Sequence, residues 1–124
     1  MSLEFLTNPF LIEKNTFKSP IIVTGAGGCI GSWIMSILYR SNIECVGIDV
    51  SDKKTRAELI INKEVSNLKW EKCDITDFKS LKKIINKYNP SAIIHLAGLQ
   101  VPFCANDPAL GAWVNVEGTI NVLN

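Results

Sequence analysis

The sequence has almost no net charge and few residues that bind metals. It carries 13 Lys and Arg against 12 Asp and Glu, which leaves +1 at pH 7. Proteins that bind nucleic acid or acidic lipid usually show a marked basic excess, so neither partner is expected. There is one histidine, and the four cysteines form no C-x-x-C pair. No metal site is therefore predicted.

Charge is absent altogether from residues 19–39. An uncharged run of this length can indicate a membrane span. Here four glycines together with Thr24, Ser32 and Ser36 interrupt the run, and its first residues are typical of a strand. A buried strand, a loop and a buried helix are predicted instead. No basic segment precedes an early apolar run, so no secretory signal is expected either.

The cysteines lie far apart along the chain, at Cys29, Cys45, Cys73 and Cys104. A disulfide framework is not expected from so few cysteines in a chain of this size. Reduced thiols in a cytoplasmic protein are the prediction.

Two parts can be distinguished along the chain. Residues 1–19 have no hydrophobic period, and Asn8-Pro9 interrupts them, so they are predicted to pack loosely or to be partly disordered. Residues 20–124 are predicted to form one domain, in which short apolar runs alternate with helical patterns. Strands are predicted at 21–24, 44–50, 67–72 and 92–97, and helices at 28–40, within 51–62, at 77–88 and from 108 to the last residue. This alternation predicts an α/β fold, a doubly wound parallel sheet with strand order 3-2-1-4.

The first strand runs directly into glycines spaced G-x-x-G-x-x-G, and a helical pattern follows. In that helix Ile30, Ile34, Ile37 and Leu38 recur at helical spacing. This order of strand, glycines and helix places a dinucleotide pyrophosphate on a helix N-terminus. Gly25 would allow the tight turn, Gly28 the approach of backbone N–H groups to the phosphates, and Gly31 close packing of helix and sheet. A glycine-rich turn without a ligand is the alternative, and the flanking strand and helix favour the dinucleotide.

Asp49 lies 24 positions after Gly25, at the end of the second predicted strand. A carboxylate in that place accepts hydrogen bonds from the adenosine ribose and repels a 2′-phosphate. NAD is therefore predicted over NADP, and the nearby Arg56 would soften the preference. The alternative is a solvated loop aspartate.

Four stretches together resemble one family. Residues 24–31 are similar to the T-G-x-x-G-x-x-G loop of the extended short-chain dehydrogenases/reductases, in the NAD-dependent epimerase/dehydratase group that acts on nucleotide sugars. Residues 73–77, Cys-Asp-Ile-Thr-Asp, resemble its G-D-I-x-D motif, and residues 95–98, His-Leu-Ala-Gly, its H-x-A-[AG] motif. Residues 115–119, Asn-Val-Glu-Gly-Thr, resemble its N-V-x-G-T motif. The resemblance covers residues 20–124 and implies a Rossmann-type dinucleotide-binding domain.

The resemblance also implies a role for individual residues along the cofactor. The pyrophosphate would be held by Gly25, Gly28, Cys29, Ile30 and Gly31; the adenine ribose by Asp49; and the adenine by Asp74 and Ile75. Leu96, Ala97 and Gly98 would lie along the nicotinamide ribose, and Asn115 would face the cofactor. Alternatives remain for two of these residues: Asp74 as an ordinary loop acid and Asn115 as a tie between helix and strand. His95 is interpreted as a structural residue at a strand end and not as an acid–base group.

The chain departs from the family in its catalytic residues. The family pairs a Tyr with a Lys as Y-x-x-x-K, whereas Tyr39 is followed at that spacing by Ile43 and Tyr88 by Ala92. No catalytic residue is therefore assigned, and the chain is expected to bind a dinucleotide without turnover. It would be the N-terminal part of a longer enzyme acting on a nucleotide sugar or, alternatively, a short dinucleotide-binding module without catalysis.

A structural consequence follows for the fourth strand. In the full six-stranded order of this fold it would be internal. Here it becomes an exposed apolar edge, which favours pairing with another chain. Self-association through residues 92–97, or disorder near them, is therefore predicted.

Overall fold

The computed structural model describes residues 1–18 and 20–124 of the chain. Its centre is a parallel sheet of four strands in the order β3-β2-β1-β4. The strands are β1 (Ile21–Thr24), β2 (Cys45–Asp49), β3 (Lys69–Lys72) and β4 (Ala92–His95). The predicted fold class and strand order are confirmed.

The central strand β1 is buried along its whole length, because helices cover both faces of the sheet. Ile21 and Val23 face a core shared with the first two α-helices, whereas Ile22 faces a second core shared with the third. A strand buried on both faces needs a continuous apolar run, which is the pattern of residues 21–23.

Three helices cover the sheet: α1 (Cys29–Arg40), α2 (Thr55–Ile61) and α3 (Phe78–Tyr88). A short 3-10 helix, Asn62–Asn67, joins α2 to β3. The carboxylate of Asp77 caps α3 by accepting from the backbone N–H of Ser80 at 3.1 Å. The helix ends at Asn89 in the left-handed conformation, where the sequence predicted its end.

The buried face of α1 differs from the predicted one. Met35 and Leu38 are buried, but Ile30 is 64% exposed. Ser32 and Ser36 take part of the core face instead. The Ser32 hydroxyl donates to the backbone carbonyl of Ala26 at 3.2 Å. The Ser36 hydroxyl donates to the backbone carbonyl of Ser32 at 2.7 Å. Because the hydroxyls are bonded inside the protein, burying them costs little.

The chain after β4 is helical in several pieces. A helix that was not predicted, α4 (Val101–Asn106), precedes α5 (Pro108–Ala112), a π-helical turn (Trp113–Glu117) and α6 (Gly118–Leu123). The backbone stays helical at both junctions, so the last three pieces follow one another without a break. A Cβ on Gly118 would lie 2.6 Å from Cδ1 of Ile75, so this helix approaches the body of the domain closely there.

In the N-terminal segment the large apolar side chains Phe5, Phe10 and Phe17 are exposed, while polar contacts hold part of its backbone. The segment forms a 3-10 helix, Glu4–Phe10, held by the guanidinium of Arg40. This group binds the backbone carbonyl and the side chain of Glu4, both at 2.9 Å, and the side chains of Thr7 and Asn8. Polar side chains make these contacts, so a hydrophobic period could not reveal them. Ser19, the last residue of the predicted lead-in, lies outside the described residues.

The uncharged run at residues 19–39 supplies β1, the glycine loop and most of α1. That helix has 12 residues. Among the helices of the described residues, none combines the length and the hydropathy needed to cross a membrane.

Candidate functional site

A cleft of about 440 Å³ opens at the carboxyl ends of β1, β2 and β4, next to the start of α1. In a parallel α/β sheet this is the edge at which ligands bind. Every predicted site residue except Asn115 lines it. Residues that were not predicted also line it: Ile48, Val50, Cys73, Leu99, Gln100 and Val114. Most of these residues are adjacent in sequence to predicted site residues, and this adjacency could have indicated that they line the cleft.

The glycine loop is fixed by contacts within the protein at two of its glycines. Gly25 has φ +69, and a Cβ on it would lie 2.6 Å from the backbone nitrogen of Ala97. A Cβ on Gly31 would overlap the carbonyl oxygen of Gly25 and lie 2.8 Å from Cα of Ala26. Both positions therefore need glycine for the fold itself.

Gly28 has more room than these two. The nearest protein atom to a Cβ there is the carbonyl oxygen of Gly25 at 3.2 Å, so the fold constrains this position less. Gly28 is the N-cap of α1, and no side chain caps the helix. The first N–H groups of α1 are thus left to a ligand at the cleft, and an uncapped helix N-terminus favours an anion. The side chain of Ile30 is exposed because it lies in the first turn of α1 and lines the cleft.

Asp49 occupies the border of the cleft at the end of β2. Its Oδ2 accepts from the backbone N–H of Gly27 at 2.9 Å, and its Oδ1 accepts from that of Ser51 at 3.1 Å. The carboxylate therefore holds the glycine loop and the loop after β2 together. Each oxygen can accept a second hydrogen bond, so the group can still receive hydroxyl donors from a ligand.

An adjoining, more open depression of about 600 Å³ lies on the other side of Asp49. Lys53 and Arg56 line it, and Arg56 donates to the carbonyl oxygen of Gly27 at 2.9 Å. The carboxylate thus separates the main cleft from a depression lined by two cationic side chains.

Asp74 and Ile75 form the wall of the cleft after β3. One oxygen of Asp74 accepts from the backbone N–H of Thr76 at 2.9 Å and from its hydroxyl at 2.8 Å. The structure thus shows Asp74 stabilising its own turn while it lines the cleft. Beside it, burial together with the nearby Asp77 and Asp74 carboxylates raises the pKa of the Cys73 thiol. That thiol stays protonated at neutral pH.

The opposite wall is the extended segment 96–98 that follows β4. The hydroxyl oxygen of Thr24 accepts from the backbone N–H groups of Leu96 at 3.1 Å and Ala97 at 3.3 Å. These bonds fasten the segment to the end of β1.

Asn115 does not line the cleft. Its Oδ1 accepts from the backbone N–H of Leu99 at 2.7 Å, and its Nδ2 donates to the carbonyl of Leu99 at 3.0 Å. Its amide therefore ties the π-helical turn to the loop after β4. Val114, its neighbour in sequence, lines the cleft. In the described part of the chain, no cluster of three or more His, Cys, Asp and Glu side chains could hold a metal ion.

Comparison with known proteins bears on this arrangement. The chain is 35% identical over 103 residues to UDP-glucose 4-epimerase of Mycolicibacterium smegmatis, covering 82% of this chain and 32% of that protein. Its structure superposes on L-threonine dehydrogenase of Clostridium difficile with a TM-score of 0.73 at 28% identity, covering 86% of this chain and 32% of that one. It also superposes on Thermus thermophilus UDP-glucose 4-epimerase in complex with NAD, with a TM-score of 0.71 at 25% identity and coverages of 83% and 32%.

The chain thus spans about a third of the length of these relatives. Residues 22–124 match the family described as GDP-mannose 4,6 dehydratase. The resemblance predicted from the four motifs is confirmed. The chain belongs to the GDP-mannose 4,6 dehydratase family, among the NAD-dependent epimerases and dehydratases of the short-chain dehydrogenase/reductase type.

Proposed function

We propose that this chain binds NAD in the cleft and forms the dinucleotide-binding part of an epimerase- or dehydratase-type oxidoreductase acting on nucleotide sugars. One observation carries the proposal: the uncapped start of α1 opens into a cleft that Asp49 borders at the end of β2. The Thermus epimerase whose fold is similar was solved with NAD.

The residues present fit the cofactor. A pyrophosphate would receive the N–H groups of Cys29 and Ile30 at the start of α1. Asp49 would accept from the adenosine ribose, and Asp74 from the adenine amino group. The 96–98 segment would lie along the nicotinamide ribose. Bound NAD supplies a hydride acceptor, and the part of this chain is to bind and orient it.

NAD is proposed over NADP because of Asp49. A 2′-phosphate on the ribose would approach this carboxylate and be repelled. Arg56 and Lys53 in the adjoining depression offset part of that repulsion. We therefore expect NADP to bind more weakly than NAD.

Hydride transfer to a sugar is proposed only for a protein that also supplies the Tyr-x-x-x-Lys pair. The two tyrosines of this chain are used elsewhere. Tyr39 accepts from the side chain of Asn67 at 3.0 Å, and Tyr88 donates to Glu71 at 2.7 Å. Neither lines the cleft. The alternative is a dinucleotide-binding module without catalysis. The intact mass of the protein isolated from its own cells would distinguish the two.

Calorimetric titration with NAD and with NADP tests the cofactor proposal. We expect Asp49→Asn to weaken NAD binding about tenfold, because a hydrogen bond to a charged acceptor contributes about 1.5 kcal/mol or more. The same change should reduce the difference in affinity between NAD and NADP. Asp52→Ala is the matched control, since Asp52 is exposed on the same loop and lines neither depression. No binding of either dinucleotide to the unmodified chain would contradict the proposal.

Two further proposals concern the molecule in the cell. The cysteines Cys29, Cys45, Cys73 and Cys104 are all free, which supports a reducing, cytoplasmic location. We also propose that, where no further strand covers the edge of β4, two copies associate through it, because within the described residues β4 pairs only with β1. Trp113 and Val116, 53% and 58% exposed, add apolar surface in the following helical segment. Light scattering should give a dimer, and a monomer at high concentration would contradict this.

A further inference from the structure

The indole of Trp70 lies against β2, next to the loop that follows that strand. Trp70 is a residue of β3, where it pairs with Gly47 of β2. A Cβ on Gly47 would lie 2.8 Å from Cε3 of the indole, so the ring occupies the space that a side chain at position 47 would need. The indole Nε1–H donates to the backbone carbonyl of Ser51 at 2.9 Å. The glycine on β2 therefore lets the indole reach from β3 to the loop after β2.

Packing and a cation hold the ring in this place. Trp70 is half-buried against the core that the sheet shares with α1 and α2. The ammonium group of Lys54 lies over the indole, 5.7 Å from the ring centroid, a distance at which a cation is attracted to the face of a tryptophan. The same ammonium group donates to the backbone carbonyl of Leu68 at 3.1 Å. The indole is thus a fixed support for the loop.

Ser51 passes this support on to Asp49. Its carbonyl accepts from the indole of Trp70, and its backbone N–H donates to Oδ1 of Asp49 at 3.1 Å. Its hydroxyl oxygen accepts from the backbone N–H of Lys53 at 3.1 Å, which folds the loop back on itself. Because the indole fixes the carbonyl of Ser51, it restricts where the N–H of the same residue points. That N–H holds one oxygen of the Asp49 carboxylate.

Trp70 does not reach the ligand site itself. Of the described residues, Asp49 lines both the cleft and the adjoining depression and Ser51 lines the depression, whereas Trp70 lines neither. An effect of Trp70 on binding therefore has to pass through the loop and Asp49. A carboxylate accepts from two neighbouring ribose hydroxyls only in a suitable orientation. The N–H groups of Gly27 and Ser51, one on each oxygen, set that orientation.

We propose that Trp70 is a positioning residue for the dinucleotide: through Ser51 it holds the Asp49 carboxylate in the orientation that accepts the adenosine ribose and repels a 2′-phosphate. The binding part of this inference rests on the proposed NAD site. The order that Trp70 imposes on the loop is a property of the protein without ligand, and it can be measured separately.

The loop is tested first, in the absence of ligand. Trp70→Phe removes the indole N–H and keeps an aromatic side chain. In NMR of the variant, the backbone amide of Ser51 should shift and exchange with solvent about fivefold faster, the effect of losing one neutral hydrogen bond, while amide exchange in β1 stays unchanged. Trp33→Phe is the matched control, because Trp33 is half-buried against the same core and lies on α1. The control should leave the Ser51 amide as it is.

Calorimetric titration with NAD and with NADP then tests the effect on binding. Trp70→Phe should weaken NAD binding about fivefold, because the carboxylate is no longer held toward the ribose. NADP binding should weaken less, since a carboxylate that can turn away repels a 2′-phosphate less. Partial unfolding would lower both affinities by the same factor, so the ratio of the two affinities separates positioning from a general structural role. Circular dichroism identifies any variant that has unfolded.

A double variant tests whether the effect passes through Asp49. Asp49→Ala has no carboxylate to hold, so adding Trp70→Phe to it should weaken NAD binding by less than about twofold further. A full fivefold loss in the double variant would mean that Trp70 acts by another route.

The inference is overturned by that result, by a Ser51 amide that does not respond to Trp70→Phe, or by a ratio of NAD to NADP affinity that stays the same. If the Ser51 amide responds but the unmodified chain binds no NAD, the order of the loop stands and the NAD site, with the binding part of the inference, is wrong.

Discussion

The two walls of the cleft are held in different ways. On the side of β1, α1 and β2, the side chains of Ile22, Val23, Ala26, Val46 and Ile48 are all 0% exposed. On the side of β4 and the following helical segment, every residue of β4 is partly exposed. There, backbone N–H groups of the wall donate to the side chains of Thr24 and Asn115, and these bonds hold it in place. Close packing makes the first wall rigid, whereas the second depends on a few polar contacts that can be broken singly.

The difference between the walls fits the proposed ligand contacts. The phosphates of a dinucleotide need N–H groups in fixed positions, and in the proposed site the packed wall offers them at the start of α1. The opposite wall can move by small amounts without disturbing the core. We expect ligand binding to change it more than the glycine loop.

Adding one methyl group to each wall should show the difference in rigidity between the two walls most clearly. In Gly31→Ala the new Cβ would overlap the Gly25 carbonyl, so we expect a loss of about 3 kcal/mol in the free energy of unfolding. In Gly98→Ala the nearest atom is the Asn115 amide oxygen at 3.2 Å, so a shift of a few tenths of an ångström is enough, and the loss should be under about 1 kcal/mol. Urea unfolding of both variants measures the difference, and equal losses would contradict the distinction between the walls.

The second test removes the tie in the polar wall. Asn115→Ala deletes both hydrogen bonds to Leu99. We expect a loss of about 1.5 kcal/mol in stability, with faster amide exchange at Leu99 and unchanged exchange in β1. Asn106→Ala is the control, because Asn106 is an exposed asparagine at the end of α4. If amide exchange became equally faster in all strands of the sheet, the two walls would not open separately.

The smallest effect concerns a surface ion pair between β3 and α3, outside both walls. Glu71 accepts from Lys87 at 2.5 Å and from Tyr88 at 2.7 Å, and these bonds lower the pKa of its carboxyl. A lowered pKa stabilises the fold above the ordinary value of about 4.3, and this contribution is lost as the pH falls through the lowered value. Solvent screening limits it to about 0.5 kcal/mol.

Glu71→Gln should therefore flatten the dependence of stability on pH below about 5, with little change at pH 7 beyond that amount. Glu64→Gln, at an exposed site in the second 3-10 helix, is the control. A large loss at neutral pH would mean that this part of the sheet depends on charge as well as on packing.

The sequence predicts the packed wall much better than the polar one. The apolar run at 21–24, the glycine spacing and Asp49 each depend on local rules of burial, turn geometry and position at a strand end. Those rules were enough to predict the sheet order and the residues at the start of α1. The site roles of individual residues stay predictions.

The polar wall could not be predicted in the same way, since its contacts join distant residues through single hydrogen bonds. The family motif containing Asn115 indicated a residue near the cofactor, but only the structure shows its amide bonded to Leu99. The exposure of Ile30 was missed because helical spacing cannot distinguish a core face from a cleft face. Arg40 and its contacts to residues 4–8 were missed because such polar contacts produce no periodic pattern in the sequence.

The π-helical turn at Trp113–Glu117 affects where insertions and deletions can occur in the last helical segment during evolution. Such a turn contains one residue more than the α-helix around it. The wider turn takes up that residue locally, so deleting it would restore regular winding and leave the remainder of the helix close to its present orientation. A deletion elsewhere between Asp107 and Gly118 would rotate the remainder by about 100° and move Gly118 away from Ile75. Within this helical segment, a change of length by one residue is therefore expected only in the π-helical turn.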